Sequence, residues 1–157
     1  MLEVNPVGKP VSEVERAYLA GLLDGDGAIM ALIEPHAEKR FGFRVRMEIN
    51  VTQFRKEDVA WLPEQTGIGY IRRNLRTFQW VVRDQKAARW LLEMIAPYSR
   101  TKRNQIALAM QILDHAIDSK EDLLAVAHLA DALSKFNVRS NRRRKNHAAM
   151  IQENVLP

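Results

Sequence analysis

The stretch Tyr18-Leu19-Ala20-Gly21-Leu22-Leu23-Asp24-Gly25-Asp26-Gly27 lies where a helical pattern stops and a strand pattern begins. It sets two carboxylates among glycines at a helix C-terminus. Unpaired carbonyls there already carry partial negative charge, so Asp24 and Asp26 are locally unfavourable unless a cation or a hydrogen-bond donor offsets them. A divalent metal does so. Mg2+ takes carboxylate and carbonyl oxygens with waters completing an octahedron, and Asp26 with the Gly25 carbonyl offers both kinds. On Asp26 alone, an Asp-Gly turn ending a helix accounts for the same residues.

Residues 1–11 hold Pro6, Gly8 and Pro10 and read as an extended arm. Ser12 with Glu15 three places on is a capping box, which opens a helix running to about Gly25. Ala17, Gly21 and Gly25 recur every four residues on it, a stripe of small side chains where a second helix could approach closely. From Ala28 to Glu34 the period shifts toward two, Pro35 to Glu38 reads as a turn, and Phe43 to Gln53 alternates. In that second strand Phe43, Val45, Met47, Ile49 and Val51 point one way, while Arg44, Arg46, Glu48, Asn50 and Thr52 point the other. The first face is expected in the core and the second wet and charged.

A short helix from Glu57 to Leu62 is expected to stop at Pro63. Gly67-Ile68-Gly69 then leads into a second hairpin, Tyr70 to Asn74 and Thr77 to Val82, with Arg72, Asn74, Thr77 and Gln79 on a shared polar face. Asp84 caps a helix through about Ala96, another follows from Thr101 to Ala116, and Ser119 opens one through about Lys135. The tail from Arg139 is basic. The order is helix, hairpin, helix, hairpin, helices, an α+β chain of α-ββ-α-ββ-α type with C-terminal helices. It reads as an N-terminal arm (1–11) and a single domain (12–157) ending in a basic segment (139–157).

The chain has 157 residues, 46% of them hydrophobic, a length suited to one compact domain with a real core. A net charge of +5 and a pI near 9.7 favour a polyanionic partner. No cysteine is present, so disulfides and thiolate zinc sites are excluded and an intracellular setting is expected. No apolar run reaches spanning length and Met1 to Pro10 lacks a signal-peptide core, so neither a membrane nor export is expected.

The polar sheet positions carry the next chemistry. A two-stranded ribbon fits the DNA major groove, where Arg pairs with guanine and Asn or Gln with adenine. Arg44, Arg46, Asn50, Arg72, Asn74 and Gln79 supply those types at alternate positions, and Glu48 could accept from a cytosine amino group. An ordinary solvated sheet face is the plain alternative for either hairpin taken alone. Arg139, Arg142, Arg143 and Lys145 read as a solvated charge run or, beside a DNA-reading sheet, as a phosphate clamp. Trp61, Trp80 and Trp90 lie in apolar patterns and are expected in the core. His115 and His128 fall in helices with no paired ligand at metal spacing, and no Ser-His-Asp or P-loop spacing occurs.

The signature from Tyr18 to Gly27, followed by its β pattern, resembles that of the LAGLIDADG homing endonucleases. The similarity extends over most of the chain. Val51-Thr52-Gln53 resembles the segment where a Gln helps to position catalytic water. Gly67-Ile68-Gly69-Tyr70 resembles the entry to the third strand, and Pro97 through Lys102 the segment carrying a catalytic Lys. Arg55 falls near the place of a further basic catalytic residue, at a point where this chain is shorter.

What the resemblance implies follows from one signature in a short chain. It implies a homodimer, packed through Ala17, Gly21 and Gly25 about a two-fold axis that brings both Asp26 carboxylates together. The paired sheets would lie along the major groove of a long pseudo-palindromic double-stranded DNA site. The implied reaction is Mg2+-dependent phosphodiester hydrolysis leaving short 3′ overhangs. Asp26 and Gly25 hold metal, Gln53 orients water, and Lys102 offsets charge in the transition state. Asp24 is read as a cap on a neighbouring helix end or backbone. Two alternatives stay open: a maturase that binds its host intron RNA, and a non-catalytic DNA-binding regulator.

Overall fold

The computed structural model of the chain describes residues 7–137 and 146–155. The elements are α1 (Glu13–Asp26), β1 (Gly27–Pro35), β2 (Phe43–Gln53), α2 (Glu57–Thr66), β3 (Tyr70–Asn74), β4 (Thr77–Val82), α3 (Gln85–Ile95), α4 (Arg103–Asp114), α5 (Lys120–Asn137) and α6 (His147–Val155). The strands form one sheet in the order β1-β2-β4-β3, with β4 antiparallel to both of its neighbours. This is the expected α-ββ-α-ββ-α order with helices after it. Arg139, Arg142, Arg143 and Lys145 lie outside the described residues.

Local chemistry explains the boundaries. Ser12 is extended at φ −65° and ψ 160°, and its hydroxyl accepts from the Glu15 N–H at 3.3 Å, so α1 starts at its N-cap. At the other end a side chain on Gly27 would come within 2.7 Å of the Leu23 Cα and carbonyl oxygen. Glycine therefore lets the chain pass from helix to strand without a linker.

The helix expected to stop at Pro63 runs on through Thr66. An interior proline costs about 3 kcal/mol. Val59 and Leu62 are fully buried on the same helix, and each such burial contributes roughly 1.5–3 kcal/mol, so their packing outweighs the break. Thr66 Oγ1 also donates to the Leu62 carbonyl at 2.7 Å. Termination waits for Gly67, which takes φ +73° and donates its N–H to the Pro63 carbonyl at 2.9 Å. The helix expected from Thr101 to Ala116 starts at Arg103 and ends at Asp114, which leaves His115 beyond it.

The chain falls into two compact units. One takes in the residues up to Ala28 and Glu48–Arg103. Its core holds Leu19, Ala20 and Leu23 of α1, Ile49 and Val51 of β2, Trp80 and Val82 of β4, and Leu91, Leu92 and Ile95 of α3. Helix α1 packs on α3, and α2 packs on β3 and β4. The other unit takes in Ile29–Met47 and the residues from Asn104 on. Its core is Ile29, Ile33, Ile106, Ala109, Leu123, Val126, Ala130 and Leu133, with Ile151 of α6 against α5. Asp131 of α5 fixes α6 by accepting from the His147 and Ala148 N–H groups at 2.6 and 3.0 Å. Among the described residues no helix is long and apolar enough to cross a membrane.

Candidate functional site

Asp26 is the last residue of α1 and Gln53 the last of β2, and the fold brings them together in the first unit. The Gln53 Nε2 donates to Asp26 Oδ2 at 2.8 Å. Asp26 is exposed, as is Gly25, and apart from its own helix backbone and chain neighbours no atom of the described residues lies within 4 Å of the place a Gly25 side chain would take. The carboxylate is thus oriented by one donor and open to solvent. Among the described residues no three His, Cys, Asp or Glu side chains converge as a metal cluster. One chain therefore offers one carboxylate and nearby carbonyls, hard oxygens that suit a divalent cation whose other ligands come from phosphate, water or a second chain.

Two residues earlier, Asp24 does what a cap does. Its Oδ1 accepts from Ser99 Oγ at 2.6 Å, and its Oδ2 accepts from the Arg100 and Thr101 N–H groups at 2.7 and 3.2 Å. The Thr101 hydroxyl returns a bond to the Asp24 carbonyl at 3.3 Å. Partial burial works against the charged carboxylate. The bonds from Ser99, Arg100 and Thr101, with the Lys102 charge, outweigh it and hold the Asp24 pKa below its ordinary value. These bonds also explain why α4 begins at Arg103: the residues before it are engaged by Asp24. The segment that carries Lys102 is thereby tied to the turn that carries Asp26.

On the sheet, strand register sets the polar face. Thr52 and Arg72 both lie opposite Gln79, and Asn74 lies opposite Thr77. Gln79 links its two neighbours: Oε1 accepts from Arg72 Nε and a terminal guanidinium nitrogen at 3.0 and 2.7 Å, and Nε2 donates to Thr52 Oγ1 at 3.0 Å.

The expectation of a wet face is corrected here. Glu48 is 2% exposed, Asn50 6% and Gln79 8%. The cause is that long side chains on the face cover its middle. Glu48 accepts from Arg83 at 2.5 Å, from Asn50 at 3.1 Å and from Arg72 at 3.4 Å. Burial alone would raise its pKa, but Arg83, Asn50 and the Arg72 charge together lower it. Glu48 is thus the anionic centre of an internal network, with both of its oxygens engaged, rather than a free acceptor for a cytosine.

Arg44 and Arg46 belong to the second unit and converge on one carboxylate, Glu34, at 2.8 and 3.1 Å. The Arg44 hydrogen bond is the main cause of a lowered Glu34 pKa; burial opposes it, and the Arg46 bond with the charges of both arginines adds to the lowering. All three side chains stay partly exposed, so these pairs orient the guanidinium groups and add little to stability.

Ala17, Gly21 and Gly25 are all exposed along α1, flanked by Val14 at 80% and Tyr18 at 60% exposure. Of the tryptophans only Trp80 is fully buried, with its Nε1 donating to the Ile68 carbonyl at 3.0 Å. Trp90 is half-buried, and Trp61 is half-buried with its ring centroid 5.7 Å from that of Tyr18, a correction to the expected core positions. Arg55 pairs with Glu57 on the surface. Arg83 was not among the expected site residues. Its odd-numbered place after Thr77, Gln79 and Val81 is the signal that puts it on the same face.

No protein-family model matches the chain. It is similar to DNA endonuclease I-CvuI of Chlorella vulgaris, 31% identical over 124 residues, 76% of this chain and 77% of the relative. It is also similar to DNA endonuclease I-CreI of Chlamydomonas reinhardtii, 28% identical over 127 residues with the same coverage. Its fold matches a crystal structure of I-CvuI with a TM-score of 0.80 and 26% identity, covering 90% of this chain and 92% of that one. I-CvuI was crystallised there with the I-CreI target DNA and 2 mM Mg, and the DNA is not cleaved. On this similarity in sequence and fold, the chain belongs to the single-motif LAGLIDADG homing endonucleases.

Proposed function

We propose that the chain is a homodimeric, sequence-specific DNA endonuclease that cuts both strands of a long pseudo-palindromic site in a Mg2+-dependent reaction. The observation that carries this is the exposed Asp26 carboxylate, held by Gln53 at the junction of α1 and β1. Asp26 and the Gly25 carbonyl would hold the cation, which when bound supplies Lewis acidity at the scissile phosphate.

The chain's own groups do the rest. Gln53 gives its amide N–H to Asp26, which leaves its amide oxygen to accept from a water and aim that water's lone pair. Lys102, on the segment tied down by Asp24, offsets negative charge that grows on the phosphate. Arg72 on β3, with Arg44 and Arg46 on β2, supplies guanidinium groups for base edges and phosphates. The bare stripe of Ala17, Gly21 and Gly25 packs against its twin, which brings a second Asp26 alongside the first.

The test is incubation of the purified chain with DNA carrying the intron-free form of its host locus, with Mg2+ and with EDTA, followed by mapping of the ends. Staggered cuts at one site with Mg2+ alone are expected. Tight binding to that DNA without cutting would reduce the reading to a DNA-binding protein.

A further inference from the structure

The β3–β4 connection is two residues long, Leu75 and Arg76, between the paired Asn74 and Thr77. Leu75 takes φ +54°, the only positive φ at a non-glycine among the described residues. Two-residue hairpin loops of this kind favour glycine or asparagine, because a Cβ crowds the backbone when φ is positive. The same leucine is 87% exposed, the most exposed of the large apolar side chains described. It lends nothing to the core, and the turn is held without it: Thr77 Oγ1 donates to the Asn74 carbonyl at 2.8 Å and Arg73 Nε to the Leu75 carbonyl at 3.4 Å.

Backbone strain and exposed apolar surface thus fall on one residue: the turn's own hydrogen bonds hold the backbone, and among the described residues the leucine side chain is left uncovered. A strained position that its surroundings hold in place, carrying a side chain the fold does not use, points to a function outside the fold. The setting narrows the partner. Leu75 stands in the run Arg72-Arg73-Asn74-Leu75-Arg76, where the last four side chains are exposed and three of the five residues are cationic. A polyanion with an apolar group within reach of a leucine fits that setting. Double-stranded DNA presents one in the major groove, the thymine 5-methyl group.

We propose that Leu75 is a specificity-determining residue that contacts a thymine 5-methyl group in the major groove of the target, an inference that rests on the DNA-binding reading above. The test uses the full chain and the duplex it selects from a random-sequence library, with deoxyuridine replacing thymine at one position at a time. Affinity is measured in EDTA so that cleavage plays no part. The wild type is expected to bind about fourfold more weakly when one methyl is missing, the worth of one such group removed from water. Leu75→Gly should be blind to that methyl, and should melt at or above the wild-type temperature because glycine relieves the turn.

Three results overturn the proposal: a wild type indifferent to deoxyuridine at every position, a Leu75→Gly profile equal to wild type, or a melting temperature several degrees lower in the variant. The last would make the leucine a structural residue. Failure to select any duplex would overturn the DNA-binding reading itself, and this proposal with it.

Discussion

Asp24 and Ser99, 75 positions apart, are joined at 2.6 Å, and the next two backbone N–H groups complete the same carboxylate's hydrogen bonding. One acidic residue of the signature therefore holds the Lys102 segment while the other, Asp26, faces solvent beside Gln53. Two carboxylates two residues apart have been given different work by where the helix end points them.

Asp24→Asn puts an NH2 group where one oxygen accepts, and at least one donor among Ser99, Arg100 and Thr101 loses its partner. The cost to stability should be about 1–3 kcal/mol, read by chemical denaturation. Cleavage should fall further than the lost fold accounts for, because Lys102 moves with the segment. An unchanged denaturation midpoint would show that these bonds do not hold it.

Glu48 makes a prediction in pH. Its folded pKa lies below the ordinary 4.5, so its contribution is fully present above that value and is lost as pH falls through the folded pKa. Stability should therefore decline on acidification below about pH 4.5, and Glu48→Gln should flatten that part of the profile while lowering stability at neutral pH. A wild-type profile with the same slope as the variant would show that Glu48 does not set the acid limb.

Apart from its own helix backbone and chain neighbours, Gly21 has no atom of the described residues within 4 Å of the place its Cβ would occupy. Gly21→Leu should thus leave the fold of one chain intact, and helix propensity alone favours it by several tenths of a kcal/mol or more. On the proposed pairing through this stripe, sedimentation should nonetheless show the wild type as a dimer and the variant as a monomer, because the added side chain fills the stripe. A variant that still sediments as a dimer would place the interface elsewhere.

Arg72 is pre-oriented by Gln79 and Glu48 with its guanidinium partly exposed. Arg72→Ala should weaken binding to the selected site by about 1–3 kcal/mol and relax the preference at one base pair. Equal weakening on all sequences would make it a phosphate contact instead.

The elements were legible in the sequence wherever periodicity was unbroken. Phe43–Gln53, Tyr70–Asn74 and Thr77–Val82 fall where alternation and flanking turn residues put them, because those two signals mark a strand's ends. Burial was less legible. A period of two says which face Glu48 and Asn50 share, but only tertiary packing shows that Arg72, Arg83 and Gln79 close over them. Pro63 misled for a related reason: a local break is overcome by burial of Val59 and Leu62, which the local pattern does not weigh. The Asp26–Gln53 pair spans 27 positions and two element types, so no spacing rule joins them. Resemblance placed both in the site, and the fold supplied the contact. The Asp24 cap was anticipated in kind, but its partners Ser99, Arg100 and Thr101 were not.

On the proposed mechanism Asp26 serves the cutting step and not the fold or the grip on DNA. The measurement is side-by-side cleavage and binding by wild type and Asp26→Asn on the selected site, with Mg2+ and with EDTA. The wild type should cut only with Mg2+, and Asp26→Asn should bind with near wild-type affinity and not cut. An Asp26→Asn protein that still cuts, or a wild type that cuts equally well in EDTA, would contradict it.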